Sequence, residues 1–467
     1  MRYQGLAEIE MTNVEDGTKE VICEENMVTN AVTQVFRGGL EALFCTINSC
    51  YGLNLIDSLL PIAGNAIGGI LLFKETLEEN PDKIYVHSAT ECIGYASNNV
   101  NPTENQKRGS LNLTESIKLD NGFKYVWDFT TSQGNGTIGS LCLTHKGGGA
   151  GFYGDGYDNE SKVLLIRKLN ATCPFSFLDR YLDIVEIDFE NEFFYSISMT
   201  LKNEIIIKKL KKRFLAIGIN DTPLDTGDVL LDSRTLTPTV FTDTLSNERN
   251  VDFFDGKDGY WYGFMGADSN RVNAEIKWMK IQKETYSFTE GKWVLPGVTM
   301  RMLGRRTEMN TNRYLKYTYC VIRNGYLYFM NYDRNGVYKL NANNSADITL
   351  IQLGFKAAFE PGAPYGYLYM YLLDDWIMGS DFSIDSHDRV CKLSNKNPFQ
   401  YVNTPLFQYG PYLLGFGKYT SSETNNLQKS YWLLTPYLAT INNLSNPVIK
   451  TADKTMKITY FLTETNQ

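Results

Sequence analysis

The chain has 467 residues, a formal net charge of −8 and a pI near 5.2. That charge excludes the basic field a nucleic-acid binder needs, and the length exceeds one ordinary core, implying two or three domains unless one is a propeller or barrel. With 30 Tyr, 25 Phe and only 14 Pro, the composition is that of a β-rich folded protein rather than a disordered one.

Residues 4–23 alternate polar and apolar positions around Glu15-Asp16-Gly17, which predicts a β-hairpin. Apolar residues at Val28, Val32, Val35, Phe36, Leu40, Leu43 and Phe44 have helical spacing. Thr29 or Asn30 is placed to cap that helix, and Gly38-Gly39 to break it. The longest apolar stretch, residues 53–73, contains Asn54, Asp57, Pro61 and Asn65 and makes a poor membrane span. No apolar core follows Met1-Arg2 as a signal peptide would require, so the product is expected to stay in the cell that makes it until lysis.

Strands are expected at residues 69–74, 84–87, 109–119, 123–130 and 137–145. The six glycines of residues 146–156 (KGGGAGFYGDG) lack the Gly-Lys-Ser/Thr of a phosphate loop and read as a hinge between domains.

Beyond the hinge a unit recurs in which a turn residue leads an aromatic run, a polar bend and a second run. Its clearest copy is residues 324–340 (NGYLYFMNYDRNGVYKL), where Asn-Gly separates β-prone segments. There Tyr326, Tyr328 and Met330 alternate with Leu327 and Phe329, so both faces of the strand should be covered. Looser copies span 151–169, 191–210, 259–281, 375–393 and 410–434. Six units about 35 to 70 residues apart are on the scale of propeller blades. A plain antiparallel sandwich is the competing architecture.

Residues 456–462 alternate as a last strand that needs a sheet to join. The expectation is that it returns to the N-terminal strands, making the propeller an insertion; closing the last blade is the other option. The predicted fold is therefore mainly β, with an N-terminal module at 1–148 carrying one short helix, a propeller of about six blades at 149–436, and a returning strand at 437–467.

Residues 65–73 (NAIGGILLF), 109–116 (GSLNLTES), 126–129 (VWDF), 135–144 (NGTIGSLCLT) and 437–460 (YLATINNLSNPVIKTADKTMKITY) form an ordered series. This series resembles the tail-tip, tail-fibre or receptor-binding proteins of phages and tail-like particles that infect Gram-positive bacteria. The likeness covers about residues 60–145 and 437–467. It implies that the two ends form a particle-attachment module while the middle meets the host. It also implies tail or baseplate proteins as partners, a location in the virion tail, and a homo-oligomer, commonly a trimer, that gains avidity from several weak sites.

The chain carries no Gly-x-Ser-x-Gly, HExxH or Walker pattern. Eight cysteines without a CxxC, and histidines only at 87, 145 and 387, leave no zinc pattern and read as buried free thiols. No catalytic residue, metal or cofactor is expected. Asp374, Asp375, Asp381, Asp385 and Asp388 beside Trp376 form the densest carboxylate group; a glycan depolymerase would use such a pair, while turn and rim aspartates account for it without chemistry. Asn331-x-Asp333-x-Asn335-Gly336 matches half a calcium loop but lacks the closing Glu and reads as a hairpin bend. The basic run 208–213 reads as a guarded strand edge, or else as a contact for an anionic wall polymer. Arg301, Arg305 and Arg306 form a weaker group of the same kind.

Aromatic side chains at turns and strand ends suit the C–H faces of sugars. Tyr153, Tyr157, Tyr260, Trp261, Tyr365, Tyr367, Trp376, Tyr409 and Tyr412 are the candidate ligand-binding residues. Together with the resemblance they predict a non-enzymatic tail component that adheres to a wall polysaccharide or surface protein of the host. A glycan depolymerase and a purely architectural tail part are the alternatives.

Overall fold

In the first strand of the chain, Ala7, Ile9 and Met11 are buried while the acidic residues between them point outward. That period of two makes β1 (Arg2–Asn13) half of a hairpin with β2 (Lys19–Val28). The turn is closed locally, with Asn13 Oδ1 accepting from the Glu15 amide and Asp16 Oδ1 from the Thr18 amide. The computed structural model describes residues 2–37, 67–86, 90–145 and most of 165–465; within the last range the longer omitted segments are 174–183, 212–228, 242–250, 307–316, 358–369, 393–403 and 419–426.

A short helix, α1 (Asn30–Arg37), follows β2 and buries Ala31 and Val32. The Thr29 hydroxyl is not spent on the helix as expected; it donates to the Leu438 carbonyl at 2.6 Å, tying the helix start to the C-terminal segment. Gly38-Gly39 and the glycine-rich residues 146–156 lie outside the described residues.

Six further strands follow: β3 (Gly69–Phe73), β4 (Cys92–Ala96), β5 (Ser110–Leu111), β6 (Ile117–Leu119), β7 (Gly122–Phe129) and β8 (Gly136–Thr144). Two differences from the sequence reading have local causes. Residues 84–86 form no strand; the Ile84 carbonyl instead accepts from the Leu438 amide. Residues 109–119 split into β5 and β6 because Asn112 Oδ1 accepts from the Thr114 and Glu115 amides and turns the chain.

These strands join two from the C-terminus, Thr440–Lys450 and Lys454–Thr465, in one ten-stranded antiparallel sheet. Along it the order is β4, β3, β8, Thr440–Lys450, β2, β1, Lys454–Thr465, β7 and β5, with β6 also on β7. Its two ends approach each other: the Tyr95 amide donates to Lys107 O and the Gly109 amide to Tyr95 O. The result is a nearly closed barrel. Ile70, Leu72, Trp127, Phe129, Ile138, Leu141, Ile458 and Tyr460 belong to its apolar core. The last strand pairs with β1 from Arg2↔Thr465 to Asn13↔Lys454 and with β7 on its other side.

The intervening chain forms five four-stranded antiparallel sheets among the described residues. Sheet I holds Ile184–Asp188, Phe193–Met199, Ile205–Lys211 and Val229–Leu236. Sheet II holds Asp252–Asp255, Tyr260–Gly266, Ala274–Gln282 and Phe288–Leu295. Sheet III holds Cys320–Arg323, Tyr326–Met330, Gly336–Asn341 and Ile348–Gln352. Sheet IV holds Tyr371–Leu373, Trp376–Met378, Phe382–Ile384 and Val390–Lys392. Sheet V holds Thr404–Tyr409, Tyr412–Lys418 and Leu427–Thr435, and its fourth strand is Leu165–Cys173 from the start of the region.

Five of the six repeat units thus supply inner strands of a sheet. The unit at 151–169 does not form a further one among the described residues: its end runs into the strand that completes sheet V, and residues 151–164 lie outside them. Among the described residues, consecutive sheets from I to IV pack face to face. Leu327 and Phe329 meet Phe264 and Ile276 of sheet II, while Tyr328 and Met330 meet Ile377 and Phe382 of sheet IV. The two-sided apolar pattern of residues 326–330 has that physical reason. The first strands of sheets I to IV are neighbours in sequence order.

Residues 208–211 of the basic run lie on an inner strand of sheet I, and residues 212–213 lie outside the described residues. Ile205–Lys211 is paired on both sides, so its lysines guard no edge. The Lys209 ammonium lies 3.9 Å from the Phe193 ring centroid. Arg305 and Arg306 sit on a two-residue strand paired with Tyr317–Thr318. In the Asn331 bend, Asn331 Oδ1 accepts from the Asn335 and Gly336 amides, and it is a hairpin turn. The described cysteines, Cys23, Cys92, Cys142, Cys320 and Cys391, carry free thiols, and burial pushes Cys92 up to about 12. No helix among the described residues is long and apolar enough to cross a membrane.

Candidate functional site

The carboxylate-rich turn of sheet IV is built by its own backbone. Asp385 is buried, and its Oδ1 accepts from the His387 and Arg389 amides at 2.9 Å each while Oδ2 meets Arg389 Nε at 3.1 Å. Asp388 takes a positive φ of 62° at the tip. Arg323, buried at the end of the first strand of sheet III, crosses to this turn. Its guanidinium donates to the carbonyls of Asp375 and Asp385 at 2.7 Å, to Tyr328 Oη at 3.0 Å and to Asp388 Oδ1 at 2.5 Å. Lys339 holds the other Asp388 oxygen, also at 2.5 Å. Burial pulls the Lys339 ammonium down, but its bond to Asp388 outweighs that and leaves it raised. Asp385 and Asp388 therefore serve to fasten sheet III to sheet IV.

Asp375 is tied elsewhere. Its Oδ2 lies 2.6 Å from Lys83 Nζ, on the segment between β3 and β4 of the barrel. This ion pair joins the barrel to sheet IV beside a cavity of about 260 Å³. Trp376 and Tyr85 are the aromatic members of its lining, Glu75 and Glu78 come from the barrel side, and Ser386, His387 and Arg389 come from the sheet IV turn. Glu75, Glu78, Ser386 and Arg389 are exposed, whereas Trp376 keeps only 4% of its surface. Carboxylates, a guanidinium, a hydroxyl and the half-buried ring of Tyr85, with the edge of Trp376, in a hollow of this size can hydrogen-bond and pack against a small polar molecule.

Of the aromatic candidates among the described residues, Trp376 alone is placed at this cavity. Trp261 is a correction to the sequence reading: it is fully buried, with Tyr195 and Tyr286 at centroid distances of 4.8 and 6.2 Å and its Nε1 donating to Glu186. Its ring is packing between sheets I and II, with no face left for a sugar. Tyr260 is half-buried and carries the Lys280 ammonium 4.1 Å from its ring centroid. Tyr409 and Tyr412 oppose each other at the hairpin of sheet V; their side chains lie outside the described residues. Tyr153, Tyr157, Tyr365 and Tyr367 lie outside them altogether.

Glu75, Glu78, Lys83 and Arg389 were invisible as site residues in the sequence. Lys83 and Asp375 are 292 positions apart, and nothing local in either segment announces the partner. Among the described residues no three His, Cys, Asp or Glu side chains gather as a metal site. Comparison of the chain with models of known protein families and with curated proteins found no match.

Proposed function

We propose that the chain is a structural component of a phage tail or tail-like particle, mounted by its barrel and adhering to the host surface through the five-sheet region. The observation that carries this reading is the weave of the barrel. Both ends of the chain are spent in one sheet, so everything between His145 and Tyr437 leaves and returns as a single insertion. The segments that resemble attachment modules, about residues 60–145 and 437–467, fall in and beside that same sheet. A rigid mount with a separate presented region is the geometry an adhesin needs.

In this reading the five sheets are the blades of a β-propeller. Three features support it: first strands of sheets I to IV that are neighbours in sequence order, apolar clusters shared by consecutive sheets from I to IV, and a last sheet completed by a strand from the region's beginning. Closing a ring with strands from both ends of the region makes opening it cost a whole sheet's pairing. The ligand is a wall polysaccharide or surface protein of a Gram-positive host, the other partners are tail or baseplate proteins, and a trimer supplies avidity. The protein acts without catalysis or cofactor, in the virion tail.

The test is to incubate the purified chain with intact cells and isolated walls of candidate hosts, then measure sedimented protein and released reducing sugar. Saturable sedimentation without sugar release is expected. Release of reducing sugar would make it a depolymerase. Failure to bind any wall, combined with assembly onto tail particles, would leave only an architectural role.

A further inference from the structure

We propose that the cavity between the barrel and sheet IV is a binding site for one neutral, hexose-sized sugar unit, and that it is where the adhesion proposed above takes place. Two observations and the chemistry of sugars lead there. The cavity, at about 260 Å³, is large enough for a single sugar ring and too small for an extended chain. Its lining combines Trp376 and Tyr85 with Glu75, Glu78, Ser386 and Arg389. A pyranose presents apolar C–H patches between hydroxyls, and that mixture of aromatic surface, acceptors and donors is its complement.

Charge selects among the wall components. Asp375 is neutralised by Lys83 and Arg389 is engaged by Asp385. Glu75 and Glu78 have no cation within ion-pairing distance among the described residues and stand exposed at the cavity. Carboxylates accept sugar hydroxyls strongly and repel phosphodiesters, so a neutral saccharide is favoured over a teichoic-acid repeat. The site also spans two parts of the molecule, since the Lys83–Asp375 pair bridges them beside it. A sugar held there touches both the mount and the presented region.

Binding is measured by titration calorimetry and ligand-observed NMR. The probes are glucose, galactose, rhamnose, N-acetylglucosamine and, for contrast, glycerol phosphate. The wild-type chain should take at least one neutral sugar with a dissociation constant of about a millimolar and should ignore glycerol phosphate. Ser386→Trp, at an exposed position, fills the cavity and should weaken that sugar by about tenfold or more without moving the thermal midpoint. The double variant Glu75→Gln with Glu78→Gln keeps the shape; it should weaken the sugar and let glycerol phosphate in.

Absence of binding by all four sugars, or equal binding by Ser386→Trp, overturns the site. Cell adhesion is scored on the same variants. Adhesion that survives Ser386→Trp sinks the site and leaves the adhesin reading standing. A chain that binds sugar at the cavity and never binds cells or walls sinks the adhesin reading and leaves the site.

Discussion

The barrel and the five sheets are both antiparallel β-structure, yet they are assembled on opposite principles. In sheets I to IV each strand pairs with its neighbour in sequence, so every sheet is a local meander. In the barrel β1 pairs with the chain's last strand and β8 with Thr440–Lys450, closing loops of several hundred residues. Local pairing costs little loop entropy, whereas the barrel gains its core only after the whole insertion has been ordered between its halves. Sheet V stands between the two cases, because its fourth strand comes from the far end of the region. The contrast teaches where damage should stay local and where it should spread.

The sharpest way to break it is to remove residues 454–467. That strips β1 and β7 of the strand they share and takes Ile458 and Tyr460, which are fully buried, out of the barrel core. A loss beyond about 4 kcal/mol is expected, enough to unfold the barrel. Hydrogen exchange should show protection gone from β1, β2, β7 and β8 but retained in sheets II and III. Equal loss in those two sheets would mean that the regions fold as one unit.

Next in size is Arg323→Met. The variant leaves Asp388 with Lys339 and the Tyr328 hydroxyl and strips the bonds to the Asp375 and Asp385 carbonyls. Breaking a buried, multiply bonded ion of this kind costs about 3 kcal/mol. Denaturant titration with exchange readout should place the loss in sheets III and IV, with barrel protection unchanged.

A smaller and reversible effect concerns Lys450. It is buried, and its Nζ donates to Thr130 O and Asn135 Oδ1 at 2.8 Å. Burial pulls its amine down from 10.5 to about 8 even with nearby Asp453 opposing the change. Because the folded value lies below the unfolded one, the folded state releases this proton first as pH rises. Its contribution to stability should therefore increase between about pH 8 and pH 10.5, the interval between those two values. Thermal midpoints of the wild type and Lys450→Met, compared across that range, isolate this slope; it should be absent from the variant.

The smallest effect is expected from Lys83→Met at the junction itself. The pair with Asp375 is partly exposed, so its loss should cost only about 0.2–1 kcal/mol. Its signature is faster exchange at residues 371–378 and 82–86 with an unchanged global midpoint. A larger shift would make this pair the principal fastening between the regions.

Much of the local structure was legible in the residues. The alternation of Ala7, Ile9 and Met11, the two-faced run 326–330 and the turn chemistry of Asn324-Gly325 each specify a strand or hairpin by backbone geometry and side-chain period alone. Hairpin likeness also made the repeat visible, because every sheet uses the same inner pair. The number of sheets was not legible, since the strand at 165–173 has the same period whether it starts a sheet or completes a distant one. Nor was the role of Trp261, as an aromatic at a turn reads alike whether its ring faces solvent or another sheet.

Pattern therefore determined which segments are strands and which face of each is apolar, since both follow from contacts within a few residues. The alternation of residues 456–462 already pointed the last strand back to the N-terminal strands, with closure of the last blade as the other option; tertiary structure alone decided between the two, that the shared sheet nearly closes, that Asp385 and Asp388 fasten sheets together, and that Lys83 finds Asp375. Those choices rest on contacts between segments from 62 to more than 400 positions apart. The energy of such a pairing depends on what surrounds it once the chain has closed, and no local period encodes that.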